Sequence, residues 1–216
     1  MPKIYTKKGD GGTTHLYDGT ELLKSNTICC VIGEIDELSS RIGIIYSLIP
    51  EKINHNHGIK ARTIITSVKK CQVIGCSVNE TERISPERIS ICYFNISDIL
   101  TSIQRLLQQI NSILATNSDN ESDIAYRNIK NLEEYIDFMS VDMPTLTKFI
   151  LPGVTQCDAQ VHICRTQTRK VERFLVQIKT DTALGENIYK YMNRLSDFFF
   201  ILARWICQKE NLVDRF

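Results

Sequence analysis

Between Asn26 and Pro50, apolar side chains return at threes and fours: Ile28, Val31, Ile32, Ile35, Leu38, Ile42, Ile45 and Leu48. That period places them on one face of a helix, which Pro50 must end because proline has no amide hydrogen to extend it. The pattern recurs. Ile99, Ile103, Leu106, Leu107, Ile110 and Leu114 mark a helix over 98–116, and Ile129, Leu132, Ile136 and Met139 one over 124–139. Tyr191, Leu195, Phe198, Phe199, Leu202 and Ile206 mark a last one over 185–210, with Asn193, Arg194 and Asp197 as polar exceptions that must be satisfied. Long amphipathic helices with short breaks bury their stripes against one another, which predicts an all-α, up-and-down bundle. With 216 residues the chain can build one sizeable core, and it shows neither an internal repeat nor a second domain.

Residues 51–97 interrupt this pattern. The segment IKARTIITSVKKCQVIGCSV suits either a helix or β-branched strands, ERISPERIS reads as a loop, and ICYFNI has strand character. His55 and His57 could hold a metal, but no further ligand stands near, and no metal site is assigned.

Charge and composition exclude some partners. The net charge of +1 gives no support to a nucleic-acid surface, and no run is long enough to span a membrane. The opening MPKIYTKKGDGG has no apolar signal segment, so a cytoplasmic protein is expected. The eight cysteines form no CxxC pair and are read as mostly reduced thiols, several buried as small hydrophobes.

Two stretches carry chemistry. The first is IYTKKGDGGTTHLYDGT, ending at Thr20. Its glycines let backbone amides approach an anion, its lysines add charge, and its threonine hydroxyls donate to oxygen. It could form a phosphate cradle, or be only a mobile terminal loop; it lacks the GxxxxGK[ST] of a Walker A loop. The second stretch is FILPGVTQCDAQVHICRTQTRKVER, from Phe149 to Arg173. After Leu151-Pro152-Gly153 it should enter a helix, with Thr155 or Asp158 as the cap. Arg165 and Arg169, four apart, share a face of that helix, and their planar forks suit carboxylate or phosphate. The alternative is a solvated basic face, with Arg169 paired to Glu172 or Asp158. In the first helix, adjacent Asp36 and Glu37 cannot both point squarely inward, and an inward acid would need a cation such as Arg165 or Arg169.

Taken together, IYTKKGDGGTT, GEIDELSS, LTKFILPG, HICRTQTRKVER and MNRLSDFFFILAR resemble, in this order, the PduO-type ATP:cob(I)alamin adenosyltransferases, including their mammalian members. The resemblance implies a five-helix, ferritin-like up-and-down bundle assembled as a homotrimer, with active sites between subunits and residues 51–97 as an irregular insertion after the first helix. It implies one domain over 1–216, its residues 1–25 forming a nucleotide-binding loop. The reduced cobalt of cobalamin would attack the 5′ carbon of ATP, with Mg²⁺ assisting and triphosphate leaving. By motif match, Thr6, Lys7, Gly9, Asp10, Gly12, Thr14 and Lys24 contact ATP, joined by Arg169, Glu172 and Asn193. Asp36 and Arg165 match an ion pair between subunits, and Phe149 an aromatic residue against the lower face of the corrin. The implied catalytic set is Phe149, Arg169, Asp36 and Arg165. Gly11, Glu34 and Arg41 depart from the family pattern, which leaves a second reading: a non-catalytic protein of this fold that binds ATP, cobalamin or a protein partner.

Overall fold

A computed structural model of the chain describes residues 5, 7–54, 57–61, 90–116, 123–141, 143–180, 182 and 184–216. Among these, five long helices form the bundle: α1 (Thr27–Leu48), α3 (Ile96–Thr116), α4 (Tyr126–Ser140), α5 (Gln156–Gln177) and α6 (Glu186–Lys209), with a single helical turn, α2 (Glu51–Asn54), after Pro50. The fold is all-α, as the periodicity predicts. Two short antiparallel hairpins accompany it. β1 (Thr13–His15) pairs with β2 (Glu21–Leu23), Thr14 opposite Leu22, and β3 (His57–Ala61) pairs with β4 (Ser90–Phe94), Ile59 opposite Cys92. The strand character of ICYFNI is therefore realised in β4, whereas 62–89, and His55 with it, lie outside the described residues.

The helices pack in the order α3, α1, α5, α6, α4, so α1 and α6 each lie against α5. The core face of α1 is Val31, Ile35, Leu38, Ile42 and Ile45, all fully buried, with Ile28, Ile32 and Leu48 packed at its edges. The predicted stripes of α3 and α6 are buried throughout, and Phe198 meets Tyr135 of α4 edge-on at 6.4 Å between ring centroids. Neither Asp36 nor Glu37 points inward, because Ile35 and Leu38 occupy the core side of that turn and leave both acids exposed. The acid that α1 offers to α5 is instead Glu34, which accepts from Gln167 and pairs with Lys170. The cation that answers it is thus neither Arg165 nor Arg169.

Helix ends are set by identifiable groups. Asn26 caps α1 by accepting from the Ile28 amide at 2.8 Å. Gly185, before α6, has no side chain to cap with; the Asp123 carboxylate lies over it and accepts from the Asn187 amide. A Cβ at Gly185 would overlap that carboxylate, so glycine is required there by space. Cys157, Cys164 and Cys207 are buried free thiols, and burial pushes them up to about 11, about 12 and about 12 respectively, too high for a thiolate at neutral pH. Among the described residues no helix is long and apolar enough to cross a membrane.

Candidate active site

The glycine- and lysine-rich loop leads into β1 and is closed by its own backbone. The Asp10 amide donates to the Lys7 carbonyl and the Gly12 amide to the Gly9 carbonyl. The Lys24 amide returns after β2 to the Gly12 carbonyl at 2.9 Å. This brings Lys24 back onto the loop: a Cβ added to Gly9 would stand 3.2 Å from the Lys24 ammonium and 3.2 Å from the Thr13 carbonyl. Gly12 has φ +87°, a left-handed backbone that costs glycine nothing. Lys7 adopts φ 61°, which is uncommon outside glycine. An open cleft of about 710 Å³ is lined by Lys8, Gly9, Thr14 and His15. Lys7, Asp10 and Lys24 are exposed around it, and Thr6 lies outside the described residues.

Helix α5 starts on a capping box. Thr155 accepts from the Asp158 amide at 3.0 Å, and Asp158 accepts from the Thr155 amide at 2.9 Å, so both residues expected as candidates share the role. The buried Asp158 also accepts from the Gly153 amide at 3.3 Å. Two turns on, Arg165 is half-buried and donates to Nδ1 of the buried His162 at 3.3 Å. Burial, and then the neighbouring Arg169, hold the Arg165 guanidinium below its usual value. Arg169 is exposed and makes no ion pair among the described residues. The surface pairing to Glu172 or Asp158 does not form: Asp158 belongs to the cap, and Glu172 accepts from Asn193 of α6 at 3.0 Å. Glu172 and Asn193 thereby meet between α5 and α6, and Arg169 precedes Glu172 by about one turn on α5. The other polar exceptions of α6 are satisfied on its α4 side, since Arg194 reaches Glu133 of α4 at 3.2 Å and Asp197 at 3.4 Å.

Asp36 and Arg165 do not meet within one chain. Phe149 touches none of the other named residues; its side chain is 97% exposed on the segment between α4 and α5. That segment is held by residues the sequence reading passed over. Arg204, 6% exposed on α6, pairs with Asp214 at 2.8 Å and donates to the Pro144 carbonyl at 2.8 Å. The available signal was an arginine between Ala203 and Trp205 on an otherwise buried face. No group of three or more His, Cys, Asp or Glu is placed to hold a metal among the described residues.

His162 gives this site a pH dependence. Burial first, and then Arg165, depress its pKa below 6.5, while Asp158 and Asp214 pull the other way. A depressed folded value means that the unfolded chain binds the proton more tightly. The contribution of neutral His162 is therefore present above about pH 6.5 and lost as the pH falls through that value towards the folded one. The melting temperature should drop from pH 7 to pH 5, and His162→Gln, which keeps an acceptor for Arg165, should flatten that drop. Equal slopes in thermal melts of the two proteins would exclude His162 as its source.

The family model for cobalamin adenosyltransferase matches residues 4–206. The bovine (Bos taurus) corrinoid adenosyltransferase MMAB is 32% identical over 217 residues, covering 97% of this chain and 73% of that protein. A cobalamin adenosyltransferase of Cupriavidus metallidurans is 30% identical, covering 94% of this chain and 88% of that one. Among solved structures, a phenylalanine-to-alanine variant of the PduO-type ATP:corrinoid adenosyltransferase from Lactobacillus reuteri, complexed with cobalamin and ATP, superposes with a TM-score of 0.75. It is 30% identical in sequence and covers 99% of this chain and 98% of that one. Since the match runs through the loop, α1, α5 and α6 alike instead of resting on one motif, the chain belongs to the cobalamin adenosyltransferase family.

Proposed function

We propose that this protein transfers the 5′-deoxyadenosyl group of ATP to cob(I)alamin, giving adenosylcobalamin and triphosphate. Family membership across residues 4–206 is the observation that carries this reading. The cobalt–carbon bond forms as the bond from C5′ to oxygen breaks, and that electron pair leaves with triphosphate. The nucleophile belongs to the corrinoid, so no protein nucleophile is needed. The protein's task is to orient two substrates and stabilise charge on the leaving group. Lys7, Lys24, the Gly9 and Gly12 amides and the hydroxyls of Thr6 and Thr14 cradle the triphosphate, with Asp10 ordering the loop. Arg169 supplies a fork to the phosphates, and the hydrogen-bonded Glu172 and Asn193 hold the nucleoside side. Mg²⁺ would accompany ATP as its counter-ion and would supply Lewis-acid stabilisation of the leaving group, since no acidic cluster among the described residues is placed to hold it. Phe149 stands against the lower face of the corrin, excluding water and the lower axial ligand, which favours a four-coordinate cobalt that is easier to reduce.

The working unit is a homotrimer. Among the described residues the exposed Asp36 carboxylate has no partner, and the partly desolvated Arg165 meets His162 and the like charge of Arg169 but no acid. A pair between subunits satisfies both. Exposed apolar residues on the same two helices, Ile44 and Tyr46 of α1 and Ile163 of α5, are covered in such an assembly. A cytoplasmic setting, where the exposed thiol of Cys30 stays reduced, completes the proposal. The test is direct: purified protein with ATP, Mg²⁺ and chemically reduced cobalamin should consume the cob(I)alamin absorption. Binding of either substrate without that loss would leave a non-catalytic protein of this fold.

A further inference from the structure

We propose that Arg204, Asp214 and the backbone of Arg215 form a clamp that positions Phe149. The argument starts at the end of α6. Asn211 takes a left-handed backbone, φ 59°, and the chain closes a Schellman motif: the Leu212 amide donates to the Cys207 carbonyl at 2.9 Å and the Asn211 amide to the Gln208 carbonyl at 3.0 Å. This reverses the chain, so that residues 212–216 run back against the segment carrying Phe149.

Contacts then form at both feet of that segment. At its start, the buried Arg204 donates through Nε and Nη2 to one oxygen of Asp214, at 3.0 and 2.8 Å, and through Nη2 to the Pro144 carbonyl. At its end, the Leu151 amide donates to the Arg215 carbonyl at 2.7 Å. Gly153, at φ +102°, follows after Pro152, and its amide donates to Asp158 of the α5 capping box. Phe149 sits between these fixed points, on a span whose residues from Pro144 to Phe149 are all exposed. A solvent-facing aromatic ring on an untethered loop would lose orientational freedom on meeting a flat ligand. A loop fixed at Pro144, Leu151 and Gly153 has already given up most of it. Arg204 and Asp214 are thus positioning residues. They act through the loop and touch no substrate.

This inference rests on the assignment of Phe149 to the corrinoid, and the experiment separates the two. Asp214→Asn keeps the shape and removes the charge from the full-length protein. Three quantities are read: hydrogen exchange at the Leu151 amide, KM for cob(I)alamin against KM for ATP, and the four-coordinate fraction of bound cob(II)alamin by absorption spectroscopy. Leu151 exchange and corrinoid KM should each rise about tenfold, with the four-coordinate fraction falling and the KM for ATP within about twofold of the parent. Adding Phe149→Ala should cost no more than Phe149→Ala alone, because the clamp acts only through that ring. Should Asp214→Asn not fold, Arg204→Lys, which keeps a cation for Asp214 but loses the fork that also reaches Pro144, must give the same split. If Phe149→Ala is impaired while the clamp variants handle corrinoid normally, or lose ATP and corrinoid equally, the clamp is wrong and the function stands. If Phe149→Ala is itself unimpaired, the corrinoid assignment falls and takes the clamp with it.

Discussion

Replacing Arg169 with alanine should raise the KM for ATP roughly ten- to a hundredfold, the equivalent of losing one charge-assisted hydrogen bond of about 1.5–3 kcal/mol. Arg169 is exposed and has no carboxylate partner among the described residues: Glu172, three positions on, is engaged with Asn193, and Asp158 lies about 16 Å back along α5 in the helix cap. Removing it leaves no stranded acid, so the loss is read in ligand handling and not in folding. If the contact strengthens as triphosphate departs, the turnover rate falls instead of KM rising. Arg169→Lys retains the charge without the planar fork and should rescue only in part. A folded Arg169→Ala protein with parental KM and turnover would remove this residue from the site.

The second large effect is on assembly. Breaking a buried ion pair by deleting one partner costs roughly 3–5 kcal/mol, so if Asp36 and Arg165 pair between subunits as proposed, Asp36→Ala should dissociate the proposed trimer at micromolar concentration, as seen by light scattering or sedimentation. Glu37→Ala is the matched control. Glu37 pairs with Arg41 one turn along the same helix, both partly exposed, and such pairs are worth about 0.3–0.5 kcal/mol. The Asp36→Arg/Arg165→Asp double exchange should restore part of the association. A parent protein that is monomeric, or an Asp36→Ala trimer as tight as the parent, would defeat the interface.

What was legible in the sequence follows from the range of the forces involved. The buried faces of α3 and α6 could be read from spacing alone, since a 3.6-residue period and a Pro or Gly stop are local properties. That Thr155 or Asp158 would cap α5 was legible for the same reason, though not that the two share the role in one capping box. The partner of Glu34 was not, because Lys170 lies far along the chain and is brought to it only when α1 packs on α5. Two of the residues that depart from the family pattern, Glu34 and Arg41, each find a charged partner within the chain, Lys170 and Glu37. Those substitutions are thus accommodated without drawing on Asp36, Arg165 or Arg169. Arg204 was hidden because its setting reads as an apolar stripe, and its partner Asp214 approaches only after the chain reverses at Asn211.

The cap of α5 also fixes a rotational phase. Asp158 is buried and engaged by the Thr155 and Gly153 amides, so the first turn cannot slide relative to the segment before it. Every residue beyond it inherits that setting, about 100° per position. One residue added or lost between Asp158 and Arg165 would swing Arg165, Arg169 and Glu172 together off the faces they occupy and would carry Val171 and Leu175 out of the core. A polar side chain on the open side of this stretch, such as Thr166, can drift among good helix formers with little penalty, whereas Ile163 is restrained by the proposed contact between subunits. The span between cap and first arginine is therefore held to a fixed count while its exposed letters vary, and sequence divergence here should appear as substitution and almost never as a gap.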